Sequence, residues 1–191
     1  MKQYLSAAKR YGLACILLIS LTLGLSVRGT TQTIINSDYV LIINTYTEST
    51  PWSSMVINTV NEELVAGPVY LMSSTENLYM PLVNSEEQID EFRRMLQQKY
   101  THPPRMVIYI GNSSWTLLHD ALDQQWRDTP VLLFAEEPYT GPRENFIDRT
   151  ATPENKRVLL ERAITNPHTT LVPSYLYLRE TLDMMFGMEP G

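Results

Sequence analysis

Four short apolar runs, each followed by a polar loop, are the feature that most constrains the fold of this 191-residue chain. They span residues 40–43, 68–72, 106–110 and 131–135. Each is too short for a helix and contains β-branched or aromatic side chains, which is typical of buried strands. Because helical patterns follow three of the four loops, the sequence predicts an α/β fold with a three-layer, doubly wound parallel sheet.

Capping residues and apolar spacing predict the helices between these strands. Thr50 followed by Pro51 is a helix start, and Ser85 with Gln88 forms a capping box. The last predicted helix places Leu178, Leu182 and Met185 on one side. The predicted helices cover 51–66, 85–100, 115–126, 152–164 and 175–186, and an edge strand is predicted over 169–172.

The first 30 residues have the layout of a secretory signal peptide. Three basic residues precede an apolar run over 12–27, and small residues follow it. The run is shorter than a membrane span, which favours cleavage over a permanent anchor. The only cysteine, Cys15, lies in this segment, so the rest of the chain has no disulfide. Export of a disulfide-free domain predicts a periplasmic location.

Charge and motifs exclude several classes of function. The chain has 15 basic and 21 acidic residues, and four of the basic ones lie in residues 1–30; the remaining 11 against 21 give a net charge of −10. Such an acidic domain is a poor partner for nucleic acid. Phosphate-loop, dinucleotide and serine-hydrolase motifs are absent from the sequence, and the three histidines lack metal-ligand spacing. No cofactor, no metal and no catalytic residue are expected.

The polar loops after the strands are the candidate ligand surface, because such loops line the crevice of open parallel sheets. Aromatic rings beside hydroxyl, amide and carboxylate groups suit a polyhydroxylated or amine-bearing solute. Trp52 and Trp115 are also compatible with core positions at helix starts. The candidate residues are Tyr46, Thr47, Glu48, Trp52, Ser73, Ser74, Asn112, Ser113, Trp115, Glu136 and Tyr139, with Glu137 beside them.

Three segments resemble a known family. Asn44, Thr45, Tyr46, Pro51 and Trp52 match an N-[ST]-Y-x-x-x-x-P-W loop after an opening strand. The segments MVIYIGNSSWTLL with DTPVLLFAEEPYTGP, and LRETLDMMFGMEPG, are similar to later strands and to a crossover helix. Together they resemble the periplasmic binding-protein-like domain, related to ABC-transporter substrate-binding proteins, of Bacteroides-type hybrid two-component sensor histidine kinases.

The resemblance implies a first α/β lobe of the type I kind over 38–173 and a crossover helix over 174–191 toward a second lobe. It implies a non-enzymatic solute-sensing module, with a sugar-like solute bound between two lobes and an inner-membrane-anchored kinase as partner. Signalling through partner proteins or a homodimer is an alternative. Other classes left open are a solute-binding component of an ABC-type transporter and an exported hydrolase or flavodoxin-like enzyme.

Overall fold

The computed structural model describes residues 38–174. The predicted signal segment and the predicted helix over 175–186 lie outside these residues. The strands are β1 (Tyr39–Asn44), β2 (Met72–Asn77), β3 (Met106–Ile110), β4 (Val131–Ala135), β5 (Tyr139–Thr140), β6 (Val158–Leu159) and β7 (Thr169–Pro173). The helices are α1 (Pro51–Ala66), α2 (Glu86–Lys99), α3 (Asn112–Gln125), α4 (Arg143–Ile147) and α5 (Leu160–Ala163).

Five strands form one parallel sheet in the order β2-β1-β3-β4-β7. The predicted α/β sheet flanked by helices is confirmed. Strands added after β1 go first to one side, as β2, and then to the other, as β3, β4 and β7. The order therefore reverses between β1 and β3, and such a switch point opens a crevice at the carboxyl ends of the strands.

The sheet buries apolar side chains on both faces. One face carries the larger cluster, which includes Leu41, Ile43, Tyr109 and Leu133 and receives side chains from α2, α3, α4 and α5. The other carries a smaller cluster on which α1 packs. β1 is buried along its whole length, as expected for a central parallel strand covered on both faces. None of the helices in residues 38–174 is long and apolar enough to cross a membrane.

The predicted position of the second strand is wrong. The strand begins at Met72, where the sequence analysis ended it, and its polar residues form the ladder with β1. Val69 and Tyr70, expected in the strand, are 63% and 66% exposed. β2 is an edge strand, so it does not need an apolar sequence. Its hydroxyls bond to neighbouring helices instead, as Ser73 Oγ does to Asn61 Oδ1 at 2.6 Å.

The predicted helix over 152–164 is also wrong. A single 3-10 turn spans Glu154–Lys156, β6 follows, and α5 is only four residues long. The first half of this stretch is charged and has no apolar stripe to bury. Val158 and Leu159 pair with β5 in a small antiparallel ladder. The edge strand expected near residue 169 is present as β7.

A close backbone approach fixes the switch point. Gly111 has φ +98°, a region that side chains with a Cβ rarely adopt. A Cβ at this position would lie 2.5 Å from Thr45 Oγ1 and 2.9 Å from Thr45 Cβ. Thr45 N–H donates to Ile110 O at 2.9 Å, and Ser114 N–H donates to Thr45 Oγ1 at 3.1 Å. The turn into α3 thus packs directly on the residue that follows β1.

Replacing Gly111 by alanine should destabilise the fold by about 3 kcal/mol, because backbone strain and overpacking against Thr45 add together. Urea unfolding measures the loss. The matched control is Gly67→Ala at the end of α1, where φ is −65° and the nearest atom to a Cβ lies at 3.2 Å; it should stay within about 1 kcal/mol of the native chain. Equal losses of unfolding free energy in the two variants would show that the close contact between Gly111 and Thr45 is not the cause.

Candidate functional site

The candidate site lies at the carboxyl edge of the sheet, where the order reverses. We call it the carboxyl-edge site and define it by three loops: residues 45–50 after β1, residues 111–112 after β3 and residues 136–139 after β4. Parallel strands end at the same edge, so these loops meet there.

A tyrosine and a glutamate from different loops form the centre of the site. Tyr46 Oη donates to Glu136 Oε2 at 2.5 Å, joining the β1 loop to the β4 loop. Both side chains are partly buried. The Tyr46 backbone N–H bonds to Asn44 Oδ1 at 3.2 Å, a local turn that directs the chain away from β1. The position of the ring is therefore set by backbone geometry on one side and by a carboxyl group on the other.

The two groups shift each other's protonation. Burial, and then the charge of Glu136, raise the pKa of Tyr46 well above its ordinary value, so the hydroxyl stays protonated and remains a donor. Burial also raises the pKa of Glu136, while the hydrogen bond from Tyr46 opposes this rise. Since desolvation disfavours the charged carboxyl, a bound group that donates hydrogen bonds or carries positive charge would be stabilised beside it.

Asn112 holds the β4 loop in place. Its amide nitrogen donates to Glu137 O at 2.9 Å and to Tyr139 O at 2.8 Å. Its amide oxygen accepts from the Glu136 N–H at 3.0 Å and the Glu137 N–H at 3.4 Å. The side chain is 2% exposed. Asn112, predicted as a ligand contact, thus contacts the loop that carries Glu136 and positions it.

A pair of asparagines, Asn44 and Asn77, joins the β1 and β2 ends of the site. Asn44 Nδ2 donates to Asn77 Oδ1 at 2.9 Å, and Asn77 Nδ2 donates to Glu48 Oε1 at 3.2 Å. Glu48 itself is exposed at the rim. These bonds leave the carboxylate of Glu48 on the same edge as that of Glu136, which makes the rim acidic.

Two aromatic side chains lie in or beside the loops of the site. Trp52 lies edge-on to Tyr46, with ring centroids 6.4 Å apart, and its Nε1 donates to Ser174 Oγ at 3.0 Å. Tyr139 is partly buried, and the guanidinium of Arg157 lies over its ring at 4.5 Å from the centroid. Trp52 is partly buried and packs against the smaller core cluster, which is the core role that the sequence allowed; its contact with a ligand stays a prediction.

The remaining predicted residues lie at different places. Thr47 is in the β1 loop, where its Oγ1 contacts Ser49 Oγ at 2.9 Å. Ser113 is in the first turn of α3 and is partly exposed. Trp115 is 3% exposed and belongs to the larger core cluster. Ser73 and Ser74 lie within β2, beside Val40 and Leu41 of β1, and not at the carboxyl edge.

Two residues of the site were missed by the sequence analysis. Asn77 was missed because the second strand was placed too early; the parallel register with Asn44 puts it at the carboxyl edge. Ser174 was missed because the candidate ligand surface included only the loops after the first four predicted strands. A correct position for β2 would have found Asn77 from the sequence, whereas the contact of Ser174 with Trp52 depends on tertiary packing.

Residues 38–174 contain no cluster of three or more histidine, cysteine, aspartate or glutamate side chains that could hold a metal ion. His119 stacks on Trp115 with centroids 4.1 Å apart, and its Nε2 lies 2.9 Å from Asp120 Oδ1. His102 lies at the opposite edge of the sheet, where its backbone oxygen accepts from Tyr39 Oη at 2.7 Å.

Comparison of the chain with protein-family models, with curated proteins and with solved structures finds no match.

Replacing Asn112 by alanine should destabilise the fold by about 2 to 3 kcal/mol, because buried carbonyl and N–H groups of the β4 loop lose their partner. Chemical unfolding measures this loss. The matched control is Asn58→Ala on the exposed side of α1, expected within about 0.5 kcal/mol of the native chain. A loss at Asn112 no larger than at Asn58 would show that the amide does not hold the loop.

Replacing Glu136 by glutamine should flatten the pH dependence of stability. The pKa of Glu136 in the folded chain lies above its ordinary value of 4.5, so the folded state binds more protons than the unfolded state in the window just above that value. The native chain therefore loses stability as pH rises through this window, and the variant lacks that loss.

Urea unfolding of both chains from about pH 4 to about pH 8 measures the difference. The control is Glu62→Gln, which removes the same charge on the exposed side of α1. If the Glu136 and Glu62 variants gave the same profile, the buried carboxyl would not be the cause.

Proposed function

We propose that this chain is a non-enzymatic, solute-sensing lobe of the periplasmic binding-protein type, whose parent protein resembles a two-component sensor. The sheet order β2-β1-β3-β4-β7 supports the proposal, because ligands bind at the switch point of such sheets. The observation that carries it is the bond between Tyr46 and Glu136 at that switch point.

The chemistry of the site favours a solute that carries hydroxyl or amine groups. The carboxylates of Glu48 and Glu136 accept hydrogen bonds, and Tyr46 supplies a hydroxyl at the same edge. The ring of Trp52 offers an apolar face for a sugar-like skeleton, whereas the guanidinium of Arg157 lies over the ring of Tyr139. An anionic solute is disfavoured, because it would approach two acidic side chains.

Sensing would follow from the closure of two lobes around the solute. The carboxyl-edge site contributes one set of contacts, and a second lobe contributes the other. A solute that contacts both lobes binds the closed arrangement more tightly than the open one, and this difference shifts the population toward the closed state. Because this chain would supply only one of the two sets of contacts, one lobe alone should bind weakly.

A binding screen on the chain tests the proposal. The probes are glucose, glucosamine, sorbitol and putrescine at millimolar concentration, with thermal shift to detect binding and calorimetry to measure the affinity. Tyr46→Phe and Glu136→Gln should each weaken the binding of a positive probe by about tenfold, since the first removes a hydroxyl group and the second replaces a charged acceptor by a neutral one.

Tyr70→Phe is the matched control, because it removes a hydroxyl from a tyrosine that is 66% exposed just before β2 and outside the loops of the site. Its affinity should equal that of the native chain. Failure of all four probes to bind, or binding that neither site variant weakens, would contradict the proposal.

A further inference from the structure

A cavity of about 630 Å³ lies at the amino edge of the central sheet, opposite the carboxyl-edge site. Its walls are the segments that lead into three neighbouring strands, together with the end of α3. These segments are Asp38 before β1, residues 101–105 before β3 and residues 127–130 before β4. We call it the amino-edge cavity. Its volume is in the range of pockets that bind small ligands.

Two consecutive residues of the cavity wall have buried polar atoms without a hydrogen-bond partner. Gln125 and Trp126 both line the cavity, and within residues 38–174 neither Gln125 Oε1 nor Trp126 Nε1 has a partner. The side chain of Trp126 is only 6% exposed. Native proteins leave few buried polar atoms unsatisfied, because each loses its bonds to water without replacing them. The pair therefore points to an occupant of the cavity.

The free atoms are one acceptor and one donor. The Gln125 Nε2 donates to Tyr100 O at 3.1 Å, and a reversed amide would bring two oxygens together, so the oxygen is the free atom. The indole Nε1 of Trp126 can only donate. The last torsion of both side chains is broad, so a small rotation turns either atom toward an occupant.

The charged side chains of the cavity compensate one another. Arg105 Nε donates to Asp38 Oδ1 at 2.6 Å. Arg127 and Asp128 are exposed at the rim. Two positive and two negative groups therefore line the cavity, and the first pair is already bonded. A ligand with a net charge gains little here, in contrast to the acidic carboxyl-edge site.

The remaining wall is apolar and rigid. Pro103 and Pro130 line the cavity and are exposed, and proline has no N–H that needs a partner. Backbone bonds hold the wall in place, because the Arg105 N–H donates to Tyr39 O at 2.8 Å and the Val107 N–H donates to Pro130 O at 2.9 Å. Such a preorganised surface loses little entropy when a ligand binds.

We propose that the amino-edge cavity binds an extended peptide segment of a partner protein. A carbonyl of the segment accepts from Trp126 Nε1, and an N–H of the segment donates to Gln125 Oε1. A peptide group is neutral and carries one donor and one acceptor, which matches the two free atoms, and apolar side chains of the segment pack on the prolines. A sugar of similar size has several hydroxyl groups, and most of them would be buried here without a partner.

The proposal does not depend on the proposed solute site, because the cavity lies at the other edge of the sheet. Both places can be occupied at once. The part of the chain that would respond to a solute and the part that would contact a partner protein are thus separate.

Titration of the full isotope-labelled chain with acetyl-trialanine amide tests the proposal. The chain has three tryptophans, and Trp126→Phe identifies the indole N–H signal of Trp126. This signal should move toward the position of a hydrogen-bonded indole, together with the amide signals of residues 101–105 and 125–130. The Trp126→Phe variant should bind the peptide about fivefold more weakly, since one neutral hydrogen bond is lost. The control, Tyr70→Phe, is outside the cavity and should bind as the native chain does.

A second probe tests Gln125 without changing the protein. The same peptide with methylated amide nitrogens has no donor for Gln125 Oε1 and should bind the native chain about fivefold more weakly. Four results would overturn the proposal: no binding at millimolar peptide, shifts confined to the loops of the carboxyl-edge site, binding that leaves the Trp126 indole signal unmoved, or glucose that binds the cavity as tightly as the peptide.

Discussion

The contact between Thr45 and Gly111 is the constraint on which the carboxyl edge depends. Thr45 bonds through its backbone to the end of β3 and through its hydroxyl to the start of α3, and a Cβ on Gly111 would occupy the same space. The ends of β1 and β3 are therefore held together where the strand order reverses. Every loop of the candidate site starts from these two strands or from β4 beside them.

Buried asparagines at that edge determine the positions of the polar groups of the site. Asn112 binds the β4 loop through four hydrogen bonds and so determines where Glu136 lies. Asn44 plays a similar part toward β2 and the turn at Tyr46. The Tyr46–Glu136 bond then joins the two sides. The partly buried carboxyl is thus maintained by residues that are themselves too buried to contact a solute directly.

The sequence predicted the three central strands, the edge strand near residue 169 and the first three helices, but it misplaced β2 and predicted a helix over 152–164 that is not formed. β1, β3 and β4 carry apolar runs because they lie inside the sheet, and their positions were found. β2 is an edge strand with polar side chains that bond to α1 and to the end of α2, so the apolar pattern predicted the strand at the wrong residues.

Residues 152–164 lack an apolar stripe, and their short elements depend on pairing with β5, a tertiary contact that the local sequence pattern does not encode. Asn112 was found as a polar residue at a strand end, but its role in holding the loop depends on backbone groups of residues 136–139.

The most direct test of the account is the position at which a solute binds. Titration of the isotope-labelled chain with glucosamine, which carries both hydroxyl and ammonium groups, can be followed by amide chemical shifts. The account predicts that the shifts cluster at residues 45–48, 111–112 and 136–139. Shifts confined to the opposite edge of the sheet, near His102 and Arg105, or an absence of shifts in the three loops, would contradict it.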